Sequence, residues 1–250
     1  MTGTPKIICL LTLLISLAGG LAASHARAGS DGKAARSGDH VLLLHGIART
    51  SRHMDVLAGA LREEGYRVIN LDYPSRHLPI EDLSAHIAGK LAAAVPDAGT
   101  VHVVGYSMGG LVARGLVRWH RPANLGRVVQ LASPNCGSEV ADLVRNRWLY
   151  KAFYGPAGQR LVTTDDCHVD WLGGVDYDLG IIAGDSSIDP ASSWVIDGPD
   201  DGKVAVRRTR LDGAADHIVL SANHTFFPQT KAVITQTIHF LKLGSFDRGE

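Results

Sequence analysis

Residues 101–117, VHVVGYSMGGLVARGLV, place one serine among closely spaced glycines, where a β-branched run gives way to an amphipathic pattern. Gly105, Ser107 and Gly109 form the pattern G-x-S-x-G between a predicted strand and a predicted helix. In that context the serine occupies a sharp turn, and a side chain at either glycine would collide with neighbouring backbone. The helix N-terminus favours negative charge beside the hydroxyl. We interpret Ser107 as a nucleophile, because a plain glycine-rich helix start would not explain both flanking glycines.

A serine nucleophile requires a general base, and histidine commonly fills that role. Four histidines follow the serine far enough along the chain: His168, His217, His224 and His239. His224 follows a predicted strand in a polar loop, at the end of the strand where parallel sheets carry their active sites. His217 begins the same strand, His168 lies in a segment without clear strands, and His239 lies within a predicted helix. We expect His224 to be the base and keep His217 as the alternative.

A carboxylate must orient such a base, and four aspartates lie between the serine and His224 in suitable places. They are Asp185, Asp197, Asp200 and Asp201. Asp185 directly follows a predicted strand, which is a common position for this group. Asp201 precedes a glycine, a pairing that also marks ordinary turns. The residues alone leave the choice of acid open.

The elements that must position these groups alternate regularly along the chain. Strands are predicted at 40–46, 66–74, 100–105, 126–133, 178–184 and 216–222, and helices at 54–64, 80–94, 108–120 and 230–243. Such alternation is typical of an α/β fold with a mostly parallel sheet and helices on both faces. Residues 134–175 interrupt the alternation and are predicted to form an irregular, lid-like insert.

Four segments resemble the α/β-hydrolase fold family, and within it the bacterial lipases and esterases. LLLHGIARTS is similar to the loop after the first central strand of that family, and VVGYSMGGLVAR is similar to its nucleophile elbow. DGPDDGKVAV and SANHTFF match segments near the C-terminus of that group. The resemblance extends from residue 41 to the end, except for the insert. It implies a hydrolase of carboxylic esters that needs no cofactor and no metal.

The resemblance also implies roles for individual residues. The backbone N–H groups of Ile47 and Met108 would form the oxyanion hole, which stabilises the charge of a tetrahedral intermediate. Gly46 would let the loop approach the substrate, and His45 would support that loop through hydrogen bonds. The Asp-Gly-x-Val pattern at Asp201 favours this residue as the acid, with Asp200 and Asp185 as alternatives.

The predicted insert, 134–175, is rich in large apolar residues for a connecting segment. They are Trp148, Leu149, Tyr150, Phe153, Tyr154, Trp171 and Leu172. This composition fits a lid or a pocket wall that contacts lipid, and it also fits a local packing cluster. Cys136 and Cys167 flank much of the insert and would pair in an oxidising compartment, or remain separate thiols. TTDDCHVD, at 163–170, is interpreted as a solvated acidic loop rather than a metal site.

The N-terminal segment has the layout of a secretory signal peptide. Lys6 precedes a short apolar run, and Ala26-Arg27-Ala28 resembles a cleavage site. We therefore predict a signal peptide at 1–28, with an uncleaved N-terminal anchor as the alternative. A flexible lead-in at 29–38, a hydrolase domain at 39–250, and a periplasmic or secreted location are also predicted. Removing Lys6 and Arg27 from 25 basic residues leaves 23 against 25 acidic ones, a formal charge of −2. No basic stripe is present, which argues against a nucleic-acid partner.

The residues therefore predict a serine hydrolase that acts on a small-molecule or lipid ester, with contact to a lipid surface through the insert. A thioesterase, a peptidase or an acyltransferase could use the same three groups, because a fold does not determine its chemistry. A binding protein without catalytic activity is the alternative from another class. The order of Ser107, Asp201 and His224 along the chain argues against it.

Overall fold

The structure is a computed structural model and describes residues 39–95 and 99–249. The predicted signal peptide and lead-in lie outside the described residues. Six strands form one sheet: β1 His40–Leu44, β2 Arg67–Leu71, β3 Val101–Tyr106, β4 Leu125–Leu131, β5 Leu179–Gly184 and β6 Asp216–Leu220. Their order across the sheet is β2-β1-β3-β4-β5-β6, and each neighbouring pair is parallel. The prediction of a parallel sheet is confirmed.

Nine α-helices accompany the sheet in the described part of the chain. They are α1 Asp55–Glu63, α2 Ile80–Ala94, α3 Met108–His120, α4 Glu139–Val144, α5 Trp148–Gly158, α6 Val169–Leu172, α7 Pro190–Ser193, α8 Val206–Thr209 and α9 Lys231–Leu243. Apolar residues of α2 and α3 cover one face of the sheet, and those of α1 and α9 cover the other. Because both faces are covered, all six residues of β3 are buried, which explains its nearly continuous apolar sequence.

All six strands point the same way, so the loops that follow them gather at one edge of the sheet. Leu44 of β1 pairs with Gly105 of β3, and Tyr106 of β3 pairs with Leu131 of β4. The loops after β1, β3, β5 and β6 therefore begin close together, at the edge where ligands bind in open parallel sheets.

The insert contains more helix than predicted, because α4, α5 and α6 all lie within it. Each is short, and α5 is kinked at Gly155, where φ is 59° and Pro156 follows. Such short pieces carry little periodicity from which a helix could be predicted. A disulfide between Cys136 and Cys167 ties the insert together, so the pairing that the sequence left open is present. No helix of the described residues is long and apolar enough to cross a bilayer.

Candidate active site

Ser107 occupies a sharp turn between β3 and α3. Its φ of 55° and ψ of −125° lie outside the conformations that most side chains adopt. A Cβ atom at Gly105 would lie 2.5 Å from the carbonyl oxygen of Gly109, and one at Gly109 would lie 2.3 Å from that of Leu44. Glycine is therefore needed at both positions, because the strand, the turn and the helix pass too close for a side chain.

The side chains of Ser107, His224 and Asp201 form a continuous hydrogen-bonded series. Ser107 Oγ lies 3.0 Å from His224 Nε2, and His224 Nδ1 lies 2.7 Å from Asp201 Oδ2. The Asp201 side chain is 1% exposed, and that of His224 is 13% exposed. This arrangement allows the imidazole to take a proton from the serine while the buried carboxylate holds its other nitrogen.

Asp201 is held by its own turn in the orientation that meets the imidazole. Its Oδ1 accepts hydrogen bonds from the backbone N–H groups of Lys203 and Val204, at 3.0 and 2.9 Å. Its backbone oxygen accepts one from His224 N at 2.8 Å. Oδ2 is thereby left for the imidazole, so the turn after α7 and the loop after β6 are joined at two points.

The other candidate acids have different surroundings. Asp200 Oδ1 accepts hydrogen bonds from Gly202 N at 2.6 Å and from Ser193 Oγ at 2.7 Å, and so stabilises the turn itself. The side chain of Asp197 is 94% exposed and lies 3.7 Å from Arg207. Asp185 is exposed at the end of β5. Of the four, Asp201 is the aspartate that the structure brings to His224.

The other candidate histidines are engaged elsewhere. His217 Nε2 lies 2.9 Å from Thr209 Oγ1, near the start of β6, and burial together with the charge of Arg210 lowers its pKa to about 4. His168 lies against Trp171 within the insert. His239, on α9, bonds to the backbone oxygen of Ser245.

The loop after β1 lies directly against Ser107. A Cβ atom at Gly46 would lie 3.0 Å from the Tyr106 ring and 3.3 Å from Ser107 Cβ. Ile47 follows at once, and Met108 begins α3 immediately after the serine. The backbone amides of Ile47 and Met108 therefore both belong to segments that flank Ser107. An oxyanion hole is built from backbone donors in such segments.

His45 holds this loop through contacts with Gly46 and Tyr73. Its ring stacks on Tyr73 with centroids 4.1 Å apart, and its Nδ1 lies 2.9 Å from the backbone oxygen of Gly46. The Tyr73 hydroxyl donates a hydrogen bond to the backbone oxygen of His45. Burial lowers the pKa of His45, which favours the neutral ring. Its contacts are those of a residue that holds the loop.

Two further residues belong to this site and were missed by the sequence reasoning. The Tyr106 hydroxyl donates a hydrogen bond of 2.5 Å to the backbone oxygen of His224. The ring of His53 lies 5.1 Å from that of Tyr106, and burial, followed by the positive charge of Arg49, lowers the pKa of His53 to about 4. The only sequence signal was the position of Tyr106 between the elbow glycine and the serine.

The acidic loop of the insert forms local turns. Asp166 accepts hydrogen bonds from the backbone N–H groups of His168 and Asp170, both at 3.2 Å. Both bonds lower the pKa of the Asp166 carboxyl, and the one from Asp170 has the larger effect. Within residues 39–95 and 99–249, no three histidine, cysteine, aspartate or glutamate side chains are grouped as metal ligands would be.

Comparison with known proteins identifies similar sequences and folds. A family model described as the alpha/beta hydrolase family matches residues 41–234. The lysosomal thioesterase PPT2 of Bos taurus is 25% identical over 224 residues, which cover 78% of this chain and 72% of that protein.

Solved structures with the same fold include two bacterial or metagenomic enzymes. The mature lipase BlEst2 of Bacillus licheniformis superposes with a TM-score of 0.68 at 19% identity, covering 86% of this chain and 96% of that chain. The metagenomic carboxyl esterase MGS0156 superposes with a TM-score of 0.62 at 16% identity, covering 82% of this chain and 70% of that chain. At these identities the likeness is one of fold.

Proposed function

Since the chain belongs to the alpha/beta hydrolase family, we propose that it is a serine hydrolase that cleaves carboxylic esters. One observation carries the proposal: Asp201, His224 and Ser107 are in contact in that order, at 2.7 and 3.0 Å. A serine on a strained turn, a base within hydrogen-bond reach and a buried carboxylate behind the base are the parts that acyl transfer requires.

In the first half of the proposed reaction, Ser107 Oγ attacks the ester carbonyl carbon while His224 Nε2 takes the serine proton. The carbonyl oxygen becomes an oxyanion, which the backbone N–H groups of Ile47 and Met108 stabilise. The tetrahedral intermediate then collapses and the bond to the alkoxy group breaks. His224 returns the proton to the departing oxygen, so an alcohol leaves and the acyl group remains on Ser107.

In the second half, water replaces the alcohol. His224 takes a proton from the water, whose oxygen attacks the acyl carbon, and the same two N–H groups stabilise the second oxyanion. Collapse releases the carboxylic acid, and the proton returns from His224 to Ser107 Oγ. Asp201 holds the imidazole in one tautomer and favours its charged form throughout, because the carboxylate lies at Nδ1.

Thioester hydrolysis is the second candidate, because the lysosomal thioesterase PPT2 is similar over 78% of this chain. The same steps would release a thiol instead of an alcohol. To distinguish the two, kcat/KM should be measured for a butyryl oxyester and a butyryl thioester of the same leaving-group skeleton. We expect the oxyester to be turned over at least as well. A thioester preference above tenfold would assign the protein to the thioesterases.

The experiment that tests the mechanism is active-site labelling combined with a substrate panel. A fluorophosphonate should modify Ser107 in the folded protein, and neither the Ser107→Ala variant nor the heat-unfolded protein should be labelled. The p-nitrophenyl esters from acetate to palmitate and a peptide anilide should be assayed in parallel. A folded protein that is neither labelled nor active on any of them would instead be a binding protein on this fold.

We also propose that the protein works in an oxidising compartment, either the periplasm or the outside of the cell. The disulfide between Cys136 and Cys167 supports this, because such bonds persist outside reducing cytosol. A fusion of the full chain to alkaline phosphatase, which is active only when exported, tests the location.

A further inference from the structure

An exposed apolar surface lies on the insert. The insert patch, as we name it, consists of Leu143, Trp148, Leu149 and Phe153, which are 46%, 74%, 41% and 44% exposed. Leu149 and Phe153 are four residues apart on α5 and therefore share one side of the helix. Several large apolar groups exposed within one short stretch can mark a contact site, because their exposure to water is unfavourable.

The same stretch has a local excess of positive charge. Residues 143–153 contain Arg145, Arg147 and Lys151, all exposed, and no aspartate or glutamate. The Arg76 guanidinium adds a fourth cation, 5.0 Å from the centroid of the Phe153 ring. The insert as a whole, 134–175, has four basic and five acidic residues, so the excess of positive charge is confined to residues 143–153.

Another part of α5, after the kink at Gly155, packs close to the candidate active site. Tyr150 is buried and its hydroxyl donates a hydrogen bond to the backbone oxygen of Gly158 at 2.9 Å. A Cβ atom at Gly158 would lie 3.5 Å from Ile47 Cδ1, so this end of α5 packs against the loop beside Ser107. A surface that bound the insert patch would therefore contact the same segment, 148–158, that borders the site.

We propose that the insert patch docks on the surface of an anionic phospholipid bilayer. Trp148, Leu149 and Phe153 would enter the boundary between headgroups and acyl chains, where aromatic and apolar side chains are favoured. Arg145, Arg147 and Lys151 would lie among the anionic headgroups. That the lipid then supplies the ester rests on the proposed function, whereas the binding itself does not.

A second copy of the chain fits this surface less well. In a two-fold dimer the same patch meets itself, which would place the basic residues of one copy opposite those of the other. Such like charges repel, and this face offers no acidic residue between 143 and 153 to compensate. An anionic bilayer can accommodate the apolar side chains of the patch and also attract its positive charges.

Flotation of the protein with lipid vesicles tests the proposal. The full chain with Ser107→Ala is used, so that lipid turnover cannot change the vesicles. We expect at least tenfold stronger partitioning onto vesicles of phosphatidylglycerol and phosphatidylcholine than onto pure phosphatidylcholine, weakened at high salt. The triple variant Arg145→Gln/Arg147→Gln/Lys151→Gln should lose on the order of 100-fold, at about fivefold per cation. Trp148→Ala/Phe153→Ala should also bind more weakly.

The matched control removes three exposed cations that lie outside the insert. Arg62→Gln/Arg67→Gln/Lys231→Gln should bind vesicles as the parent does, because these residues lie on or beside α1, β2 and α9. Equal binding to both kinds of vesicle, or equal losses in both triple variants, would overturn the proposal. So would a dimer in solution that Trp148→Ala/Phe153→Ala converts to a monomer. Turnover of p-nitrophenyl acetate by variants that retain Ser107 tests the catalytic function separately.

Discussion

The hydroxyl of Tyr106 donates a hydrogen bond of 2.5 Å to the backbone oxygen of His224, although 118 residues separate the two. The residue directly before Ser107 therefore holds the loop that carries His224. The backbone N–H of His224 is held in turn by Asp201. Both backbone groups and both ring nitrogens of His224 thus have partners, so Tyr106 is a positioning residue for the imidazole.

Tyr106→Phe should lower kcat on a short p-nitrophenyl ester by about tenfold with little change in KM. The variant removes one hydrogen bond to the His224 carbonyl, which is worth about 0.5–1.5 kcal/mol, and so loosens the His224 loop. The rate of fluorophosphonate labelling should fall by the same factor. Tyr66→Phe, at another buried tyrosine on the same side of the sheet, is the control and should keep both rates. If the Tyr106→Phe variant had a lower Tm but reacted at the normal rate, Tyr106 would contribute to stability and not to positioning His224.

Alanine substitutions at two glycines should have opposite effects on the free energy of unfolding. Gly109→Ala should destabilise by about 1–3 kcal/mol, because the new Cβ would lie 2.3 Å from a backbone oxygen that cannot move independently. Gly89→Ala should stabilise by about 0.5–1 kcal/mol, because this exposed glycine lies within α2 and its Cβ would meet no atom within 4 Å. Urea unfolding measures the stability of both variants. If Gly109→Ala left the free energy of unfolding unchanged, the argument that this position has no room for a side chain would be wrong.

Much of this site could be predicted because its signals are local. The elbow is defined within five residues, and a buried parallel strand such as β3 is nearly all apolar. His224 could be selected because it follows a strand. These predictions use only the pattern of neighbours along the chain.

The remaining features depend on contacts between distant segments. The position of Tyr106 opposite His224 follows from the order of the strands, in which β3 is three places from β6. His53 enters the site through the turn after β1, which has no apolar periodicity. The helices of the insert are too short for a periodic signal, and Gly155 and Pro156 would ordinarily indicate a break.

Reduction of the disulfide between Cys136 and Cys167 should destabilise the protein. The two residues are separated by 31 positions, which corresponds to about 3–4 kcal/mol in a chain-entropy estimate. Denaturant unfolding with and without reductant should show this difference. The variant Cys136→Ser/Cys167→Ser should have the lower stability in both conditions. Reduction of the denatured wild type should release two additional thiols, and no increase would contradict the bond.

Acidification should destabilise the fold through buried histidines. Burial, as the first cause, lowers the pKa values of His53, His168 and His217 to about 4. Unfolded histidines titrate near 6.5, so between about pH 6.5 and 4 the unfolded chain binds protons that the folded chain does not. Stability is fully present above that window and falls as the pH falls through it. His217→Gln should flatten the dependence of Tm on pH, whereas His120→Gln, at an exposed position, should not.

Asp201→Asn should lower kcat by on the order of 10³–10⁴, because the amide favours the wrong imidazole tautomer. Asp200→Asn is the matched variant one residue earlier and should stay within a few-fold of the wild type. Its carboxylate stabilises a turn through Gly202 N and Ser193 Oγ, and an amide oxygen can still accept from both. Comparable losses in the two variants would mean that the turn, rather than the Asp201 carboxylate, supports activity.

His224→Ala and His217→Ala should differ most clearly in their effects on activity, although both remove a histidine. His224 Nε2 lies 3.0 Å from Ser107 Oγ, so its loss should remove the base and reduce kcat/KM by about three to six decades. His217 Nε2 contacts Thr209, whose hydroxyl donates to the backbone oxygen of Val206, so this imidazole must donate and is fixed at the start of β6. His217→Ala should therefore lower Tm while leaving kcat/KM within a few-fold of the wild type. Steady-state kinetics on p-nitrophenyl butyrate, with circular dichroism to confirm folding, measure both effects. An inactive, folded His217→Ala protein beside an active His224→Ala protein would transfer the role of base to His217.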